Sequence, residues 1–93
     1  MNNANQTTET TEEPELSPRA AHLAWCKERA IAYLDAGEPH ALRNAWASFT
    51  SDLTKSEETQ DVLQTVAVLG LPLYMMGHLN TSSEMRRHIE GYN

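Results

Sequence analysis

The segment EPHALRNAWASFTSDL, residues 38–53, contains the pattern that most restricts the fold. Its apolar residues recur at intervals of three and four positions, at Leu42, Ala45, Trp46, Phe49 and Leu53. That spacing places them along one side of an α-helix and leaves the polar residues on the other. No segment shows the alternation of apolar and polar residues that is typical of a β-strand. The sequence therefore predicts an all-α fold.

The ends of the helices are indicated by residues with strong capping preferences. Ser17 precedes Pro18, and proline is tolerated at the first helical position because an N–H needs no partner there. Ser56 and Thr81 are suited to cap later helices, and Gly37 can end the first one in a left-handed conformation. We expect a small bundle of three main helices plus a short C-terminal helix, at about residues 18–36, 39–54, 57–76 and 82–90.

The predicted core consists of apolar positions at helical spacing on each segment. In the first helix they are Leu23, Cys26, Ala30, Tyr33 and Leu34. In the third they are Val62, Val66, Leu69, Leu73 and Met76, and in the last they are Met85 and Ile89. The stretch VAVLGLPLYMM, residues 66–76, is too short to span a membrane, which takes about 20 residues. We interpret it as a fully buried core helix that Pro72 bends or shortens.

Residues 1–16, MNNANQTTETTEEPEL, contain too few apolar side chains to join a core. Such a composition cannot offset the entropy of ordering, so we predict a disordered acidic tail before a single helical domain, residues 17–93. Four of the 13 acidic residues lie in this tail, which leaves nine acids and seven bases in the domain. That balance argues against DNA binding through charge alone. The tail lacks the features of a signal peptide, so we expect a cytoplasmic protein and no membrane association.

The sequence contains no recognisable catalytic or cofactor-binding pattern, so we expect neither enzyme activity nor a cofactor. His22 and Cys26 are four residues apart, a spacing that can hold zinc, but no second local pair completes a set of four ligands. We therefore expect no metal site. The favoured interpretation places Cys26 in the core and His22 at the surface. Cys26 is the single cysteine of the chain, which excludes an intramolecular disulfide.

The link SDLTKSEET, residues 51–59, joins the second and third helices and is rich in capping residues. Its Ser, Thr and Asp side chains are typical of a segment that ends one helix and caps the next. The alternative is a functional exposed corner formed by Asp52 and Lys55.

Three stretches resemble a family of small uncharacterised proteins encoded by tailed bacteriophages. They are WCKERAIAYLDAG (residues 25–37), AWASFTSDLTKSEET (residues 45–59) and MMGHLNTSSEMRRHIEGYN (residues 75–93). The chain departs from the family at Pro72, where the family has an uninterrupted helix. The resemblance implies a phage gene product that acts in the cytoplasm of the host cell. It brings no activity and no cofactor.

The function we favour is a protein-interaction module that binds, and modulates or inhibits, a macromolecular machine of the host or the phage. A small core without disulfides favours a partner or self-association, and large aromatic, Met and Arg side chains are common in protein interfaces. The candidate partner-binding residues are Arg86, Arg87, Trp46, Tyr74, Met75 and Tyr92.

The alternative function is a small DNA-binding regulator. The turn GHLNT, residues 77–81, is compatible with the corner of a helix-turn-helix, and the helix after it contains Arg86 and Arg87. A recognition helix, however, places its first residues against the bases, and residues 82–84 here are Ser-Ser-Glu. Because Glu84 would repel phosphates, we expect nucleic acid to be the less favoured partner.

Overall fold

The computed structural model describes residues 16–93, and all of their regular secondary structure is helical. Its elements are α1 (Pro18–Ala36), α2 (Ala41–Leu53), a 3₁₀ turn (Glu57–Thr59), α3 (Gln60–Thr65), a π-helical turn (Val66–Gly70), α4 (Leu71–Met75) and α5 (Ser82–Glu90). The predicted all-helical class is confirmed for this part of the chain. The predicted disorder of the acidic tail concerns residues that lie outside the described range, except for its last residue, Leu16.

Helix α1 begins and ends at the capping residues that the sequence indicates. The Ser17 hydroxyl accepts a hydrogen bond from the backbone N–H of Ala20 at 3.1 Å, and Pro18 occupies the first helical position. Gly37 follows the helix with a φ of 64°, a left-handed conformation that costs glycine little because it has no Cβ.

Helix α2 runs back along α1. It begins at Ala41, two residues later than predicted, because His40 has a positive φ of 67° and is not helical. The His22 ring, near the start of α1, is hydrogen-bonded through Nε2 to the carbonyl oxygen of Asp52 near the end of α2, at 2.8 Å. The two helices are therefore antiparallel, as their short connection predicts.

The core lies between α1, α2, the start of the third helical run and α5. Its buried apolar residues are Leu23, Cys26, Ala30, Leu34, Ala45, Trp46, Phe49, Leu53, Val62, Val66, Leu79, Met85 and Ile89. The predicted stripe of α2 is thus confirmed, with Leu42 packed at its edge. Tyr33 was expected in the core but is 43% exposed. Cys26 is fully buried as predicted, and burial raises the pKa of its thiol to about 11.

The third helical run is a composite helix, which we define as residues 57–75. The Ser56 hydroxyl caps it by accepting a hydrogen bond from the N–H of Glu58 at 3.1 Å. Its middle turn is π-helical, and the N–H of Leu71 donates to the carbonyl oxygen of Val66, five residues back. Pro72 follows this turn and has no N–H to donate. The wider turn therefore lets the helix continue past the proline to Met75.

The π turn changes which residues face the core. A π turn holds one residue more than an α turn, so every later position is displaced by one. The residues that face inward are Val62, Val66, Gly70 and Tyr74. The prediction that Leu69, Leu73 and Met76 are buried is wrong, since they are 60%, 37% and 71% exposed. The prediction assumed that the α-helical period of 3.6 residues per turn continues through Pro72.

Helix α5 closes the core through Met85 and Ile89, which are both fully buried. The Thr81 hydroxyl accepts a hydrogen bond from the N–H of Glu84 at 3.1 Å, as predicted. The Glu84 carboxylate in turn accepts a hydrogen bond from the N–H of Asn80, the residue before Thr81, at 3.2 Å. Glu84 therefore serves to start the helix.

Side chains of α1 hold the residues that follow α5. The Lys27 ammonium group donates hydrogen bonds to the carbonyl oxygens of Glu90, at 3.1 Å, and Tyr92. Arg19 donates to the backbone oxygen of Asn93 at 2.6 Å and also pairs with Asp61 on α3 at 2.7 Å. These contacts place Tyr92 against the core.

Candidate interaction surface

The outer side of the composite helix, together with Met76 directly after it, is apolar. We call it the apolar ridge and define it as Val68, Leu69, Leu71, Leu73, Met75 and Met76. Its members are between 37% and 75% exposed, and Met75 is the most exposed. Single exposed apolar residues are common on proteins, but a contiguous patch indicates a binding surface. The ridge is therefore the main candidate site of the described residues.

Two shallow grooves flank the ridge. One, of about 290 Å³, lies towards α2 and is lined by Trp46, Thr50, Leu63, Val66, Ala67 and Leu71. The other, of about 470 Å³, is lined by Asp61, Gln64, Thr65, Val68 and Leu69. Residues 62–83 contain no Asp, Glu, Lys or Arg. The surface thus consists of apolar side chains and carries almost no charge. It is better suited to contact an apolar face of a partner than a charged one.

The ridge follows from what occupies the inner side of the helix. Gly70 faces the core, where a Cβ atom would lie 2.9 Å from the Trp46 ring and closer still to the Tyr92 hydroxyl. Trp46 stacks on Tyr74 with 5.1 Å between ring centroids and an angle of 3° between planes. These close contacts fix the inward face at Gly70 and Tyr74. The larger apolar side chains beside them are therefore turned outward.

Three of the predicted binding residues lie in one aromatic cluster, which we define as Trp46, Tyr74, His88 and Tyr92. The His88 ring is hydrogen-bonded through Nε2 to the Tyr92 hydroxyl at 2.7 Å. Burial lowers the pKa of His88 and raises that of Tyr92, so both are neutral near pH 7. Trp46 is only 7% exposed and cannot offer much surface to a partner, because Tyr74 covers its face. Tyr74 and Tyr92 are half-buried at the edge of the cluster.

The other predicted binding residues lie on two separate surfaces. Met75 is 75% exposed and belongs to the apolar ridge. Arg86 forms an ion pair with Asp35 of α1, so its charge is already compensated. Arg87 is exposed in the last turn of α5, where a cation also complements the helix dipole. The six residues therefore do not form one site.

Sequence reasoning missed most of the ridge because it assigned those residues to the core. The available signal was the interval of four residues between Val62, Val66, Gly70 and Tyr74, together with Pro72. A repeat of four suits a π turn better than a regular α-helix, and a proline inside an apolar run is a frequent cause of helix irregularity.

A second feature, a polar cleft, lies between α1 and α2. Its volume is about 490 Å³, and its lining residues are Arg29, Tyr33, Asn44, Ala47, Ser48, Ser51, Asp52 and Lys55. Asp52 is 1% exposed, and its carboxylate accepts hydrogen bonds from Arg29 Nε at 2.6 Å and Lys55 Nζ at 3.0 Å. Burial by itself would raise the pKa of Asp52, but these hydrogen bonds outweigh it and hold the pKa below 3.8.

The cleft corrects the interpretation of the link after α2. Asp52 was interpreted as a capping residue or part of an exposed corner, but it is buried inside an ion-pair network. The Ser48 hydroxyl adds a long hydrogen bond to the same carboxylate, at 3.4 Å. Next to it, Trp25 is 39% exposed, and Arg29 and Lys55 lie 4.9 Å and 5.6 Å from its ring centroid.

The part of the chain that the structure describes contains no group of three His, Cys, Asp or Glu side chains arranged to hold a metal ion. Within residues 16–93, no helix has the length and apolar character needed to cross a bilayer. In comparisons with known proteins, no protein-family model, no curated protein and no solved structure matches the chain.

Proposed function

We propose that the chain is a non-catalytic protein-interaction module that binds another protein through the apolar ridge. The observation that supports this proposal is the exposure of six large apolar side chains within nine consecutive residues, 68–76. Fully burying one such side chain contributes about 1.5–3 kcal/mol. The ridge can therefore supply much of the binding free energy of a protein complex, after the costs of association are met.

The partner surface that matches the ridge is the apolar face of a helix. The ridge stands between two grooves, and helices pack by placing the ridges of one into the grooves of the other. The matching face carries no charge at its centre, because a charge there would be buried opposite apolar atoms without a partner. Polar residues of the partner are expected at the rim, where Asp61 and Gln64 border the ridge.

We assign the module to a phage, with a macromolecular machine of the host or the phage as its target and modulation or inhibition as its effect. The support for this assignment is the resemblance to small phage-encoded proteins. The partner then lies in the cytoplasm of the host cell. Binding alone is enough for this role, since a bound protein can block a surface or hold one state of its target.

The test compares a ridge variant with a matched variant outside the ridge. Leu69→Ser combined with Met75→Ser removes two exposed apolar side chains, and Leu16→Ser removes one that is 62% exposed elsewhere. Each full-length protein is crosslinked in lysate of a bacterial host and its partners are identified by mass spectrometry. We expect the wild type and Leu16→Ser to capture the same protein through ridge residues, and the double variant to lose it. Capture that is unchanged in the double variant would rule out the ridge.

The second candidate is a small DNA-binding regulator, which the exposed Arg87 and the turn at Gly77 favour. Gly77 has a φ of 85°, which allows the sharp turn before α5. Against this candidate, the Arg86 charge is paired with Asp35, and Glu84 lies near the start of the helix. Binding to duplex DNA that weakens steeply with salt, and is lost in Arg86→Ala with Arg87→Ala, would favour it over the interaction module.

A further inference from the structure

We infer that the polar cleft between α1 and α2 is a binding site for a small phosphate monoester. The site is separate from the apolar ridge and does not depend on it. Its volume, about 490 Å³, lies in the range of small-molecule sites, about 300–1,000 Å³.

The cleft carries a net positive charge. Two cations, Arg29 and Lys55, share a single carboxylate, that of Asp52, so the network has one positive charge in excess. Among residues 16–93, Asp52 is the only acidic residue in the lining, and the depressed pKa keeps it ionised and bound to both cations. The cations themselves stay accessible, with side chains that are 45% and 53% exposed. The excess charge is therefore available to an anion.

The cleft also holds hydrogen-bond donors that its own carboxylate does not use. Among the described residues, Arg29 uses only Nε for Asp52, which leaves the donors of both terminal nitrogens. Lys55 uses one of its three N–H groups on Asp52. The lining adds the hydroxyls of Ser51 and Tyr33 and the amide of Asn44. A carboxylate has two oxygens to accept these bonds, whereas a phosphate monoester has three terminal oxygens and a charge between about −1.5 and −2.

The two cations are held in place before any ligand binds. Asp52 fixes Arg29 from the inside, and the Trp25 ring lies 4.9 Å from the guanidinium and 5.6 Å from the Lys55 ammonium. A cation near an aromatic face is attracted to it and loses freedom to move. Binding therefore requires little ordering of these long side chains, which is a large part of the cost of binding with lysine and arginine. Tyr33, 43% exposed, offers a face for the organic part of the ester.

The test follows the indole N–H signals of the full-length protein by NMR during titration with phenyl phosphate. The chain has two tryptophans, and only Trp25 adjoins the cleft, so Trp46 in the core serves as an internal control. We expect a saturable shift of the Trp25 signal and none of the Trp46 signal. Benzoate, with the same ring and a carboxylate, should bind at least tenfold more weakly, and inorganic phosphate several-fold more weakly. Ionic strength is matched with sodium chloride.

Variants of the cleft show whether the named groups bind the ester. Arg29→Lys keeps a cation for Asp52 but removes the free guanidinium nitrogens, and Lys55→Gln removes a charge but keeps a donor. Each should weaken phenyl phosphate binding by about tenfold or more, the effect of losing one hydrogen bond to a charged group. Arg87→Lys, on α5, is the matched control and should bind as the wild type does. Far-UV circular dichroism identifies any variant that does not fold. If one cleft variant does not fold, phenyl phosphate binding by the other one decides the outcome.

The inference is overturned if no saturable shift appears at up to about 10 mM phenyl phosphate, a range in which even weak binding is detected. It is also overturned if benzoate or inorganic phosphate binds as tightly, or if the folded cleft variants bind like the wild type. None of these results bears on the apolar ridge, whose test uses other residues.

Discussion

Helix α2 and the composite helix are both rich in apolar residues, yet they use them in opposite ways. In α2 the apolar positions keep the spacing of a regular α-helix, and Phe49 and Leu53 end up fully buried. In the composite helix one π turn displaces the pattern, so Gly70 faces the core and Leu69 faces solvent. The same kind of residue therefore stabilises the fold in one helix and forms a candidate binding surface in the other. One extra residue in a single turn makes the difference.

The largest difference is expected when one residue is deleted from each helix. Deleting Ala47 from α2 rotates everything after it by about 100°, which turns Phe49 and Leu53 away from the core. Deleting Val68 from the π turn, combined with Pro72→Ala, leaves a regular α-helix in which Gly70 and Tyr74 still face inward. We expect the first protein to lose its cooperative thermal transition. The second should melt within about 8 °C of the wild type, the shift that about 1 kcal/mol produces in a small domain.

These deletions are measured by circular dichroism, with thermal melts recorded at the α-helical band. If both deletions abolish folding, the fold requires the π turn. The displacement caused by its extra residue then cannot be studied without unfolding the protein. If both are tolerated, α2 is less strictly packed than its burial indicates.

The next largest effect is expected when an inward and an outward apolar side chain, one from each helix, are shortened to alanine. Phe49→Ala removes a fully buried ring from α2 and should lower the free energy of unfolding by about 3–5 kcal/mol. Leu69→Ala, at a position that is 60% exposed, should change it by no more than about 0.5 kcal/mol. Urea denaturation measures both values. A large loss in Leu69→Ala would mean that the ridge supports the fold and is not free for a partner.

These two helices also show how far the fold is predictable from the sequence. The helical class, the stripe of α2 and the caps at Ser17 and Thr81 depend on local spacing and capping chemistry, so they were predicted. The exposed side of the composite helix was not, because the prediction carried the period of 3.6 residues through Pro72, whereas the π turn before the proline displaces the inward positions to Gly70 and Tyr74.

The two candidate sites were predictable to different degrees. Met75 was named as a binding residue, and it does belong to the ridge. The polar cleft depends on a salt bridge between Arg29 and Asp52, which are 23 positions apart in the sequence. No local pattern shows such a pair before the antiparallel packing of α1 and α2 is known.

A smaller difference in stability is expected when one carboxylate is removed from each helix. Asp52 of α2 is 1% exposed and bonded to two cations, so Asp52→Asn should destabilise the protein by about 2 kcal/mol. Asp61 of the composite helix pairs with Arg19 at the surface, and its side chain is 63% exposed. Asp61→Asn should therefore cost less than about 1 kcal/mol. Denaturation at pH 7 tests both values, and equal losses would contradict the buried character of the Asp52 pair.

The same pair of variants predicts a pH dependence. Because the pKa of Asp52 is lower in the folded protein than 3.8, its contribution to stability is present above pH 3.8 and is lost as the pH falls through the folded pKa. The wild type should therefore lose more stability than Asp52→Asn between about pH 5 and pH 2. Parallel curves for the two proteins would show that Asp52 does not carry this contribution.

The smallest effect tests the close packing of the aromatic cluster against Gly70. Gly70→Ala adds a methyl group that meets the Trp46, His88 and Tyr92 side chains, while alanine improves helix propensity. These opposing contributions should leave a net loss of about 1 kcal/mol, with a shift of the Trp46 indole signal in NMR. Gly91→Ala is the control, because the atoms nearest its new Cβ are at ordinary contact distances of 3.4 Å and 3.5 Å. An unchanged Trp46 signal in Gly70→Ala would contradict the close packing described above.

The buried thiol of Cys26 makes it possible to measure how often the interior of the protein opens to solvent. It is the single cysteine, it has no exposed surface, and its pKa of about 11 keeps it protonated at neutral pH. A thiol reagent can modify it only after the core around it has opened to solvent, because the reactive species is the solvent-exposed thiolate. The rate of labelling therefore reports how often the core opens around Cys26. It can be measured in the native protein without denaturant, in the presence or absence of a partner on the apolar ridge.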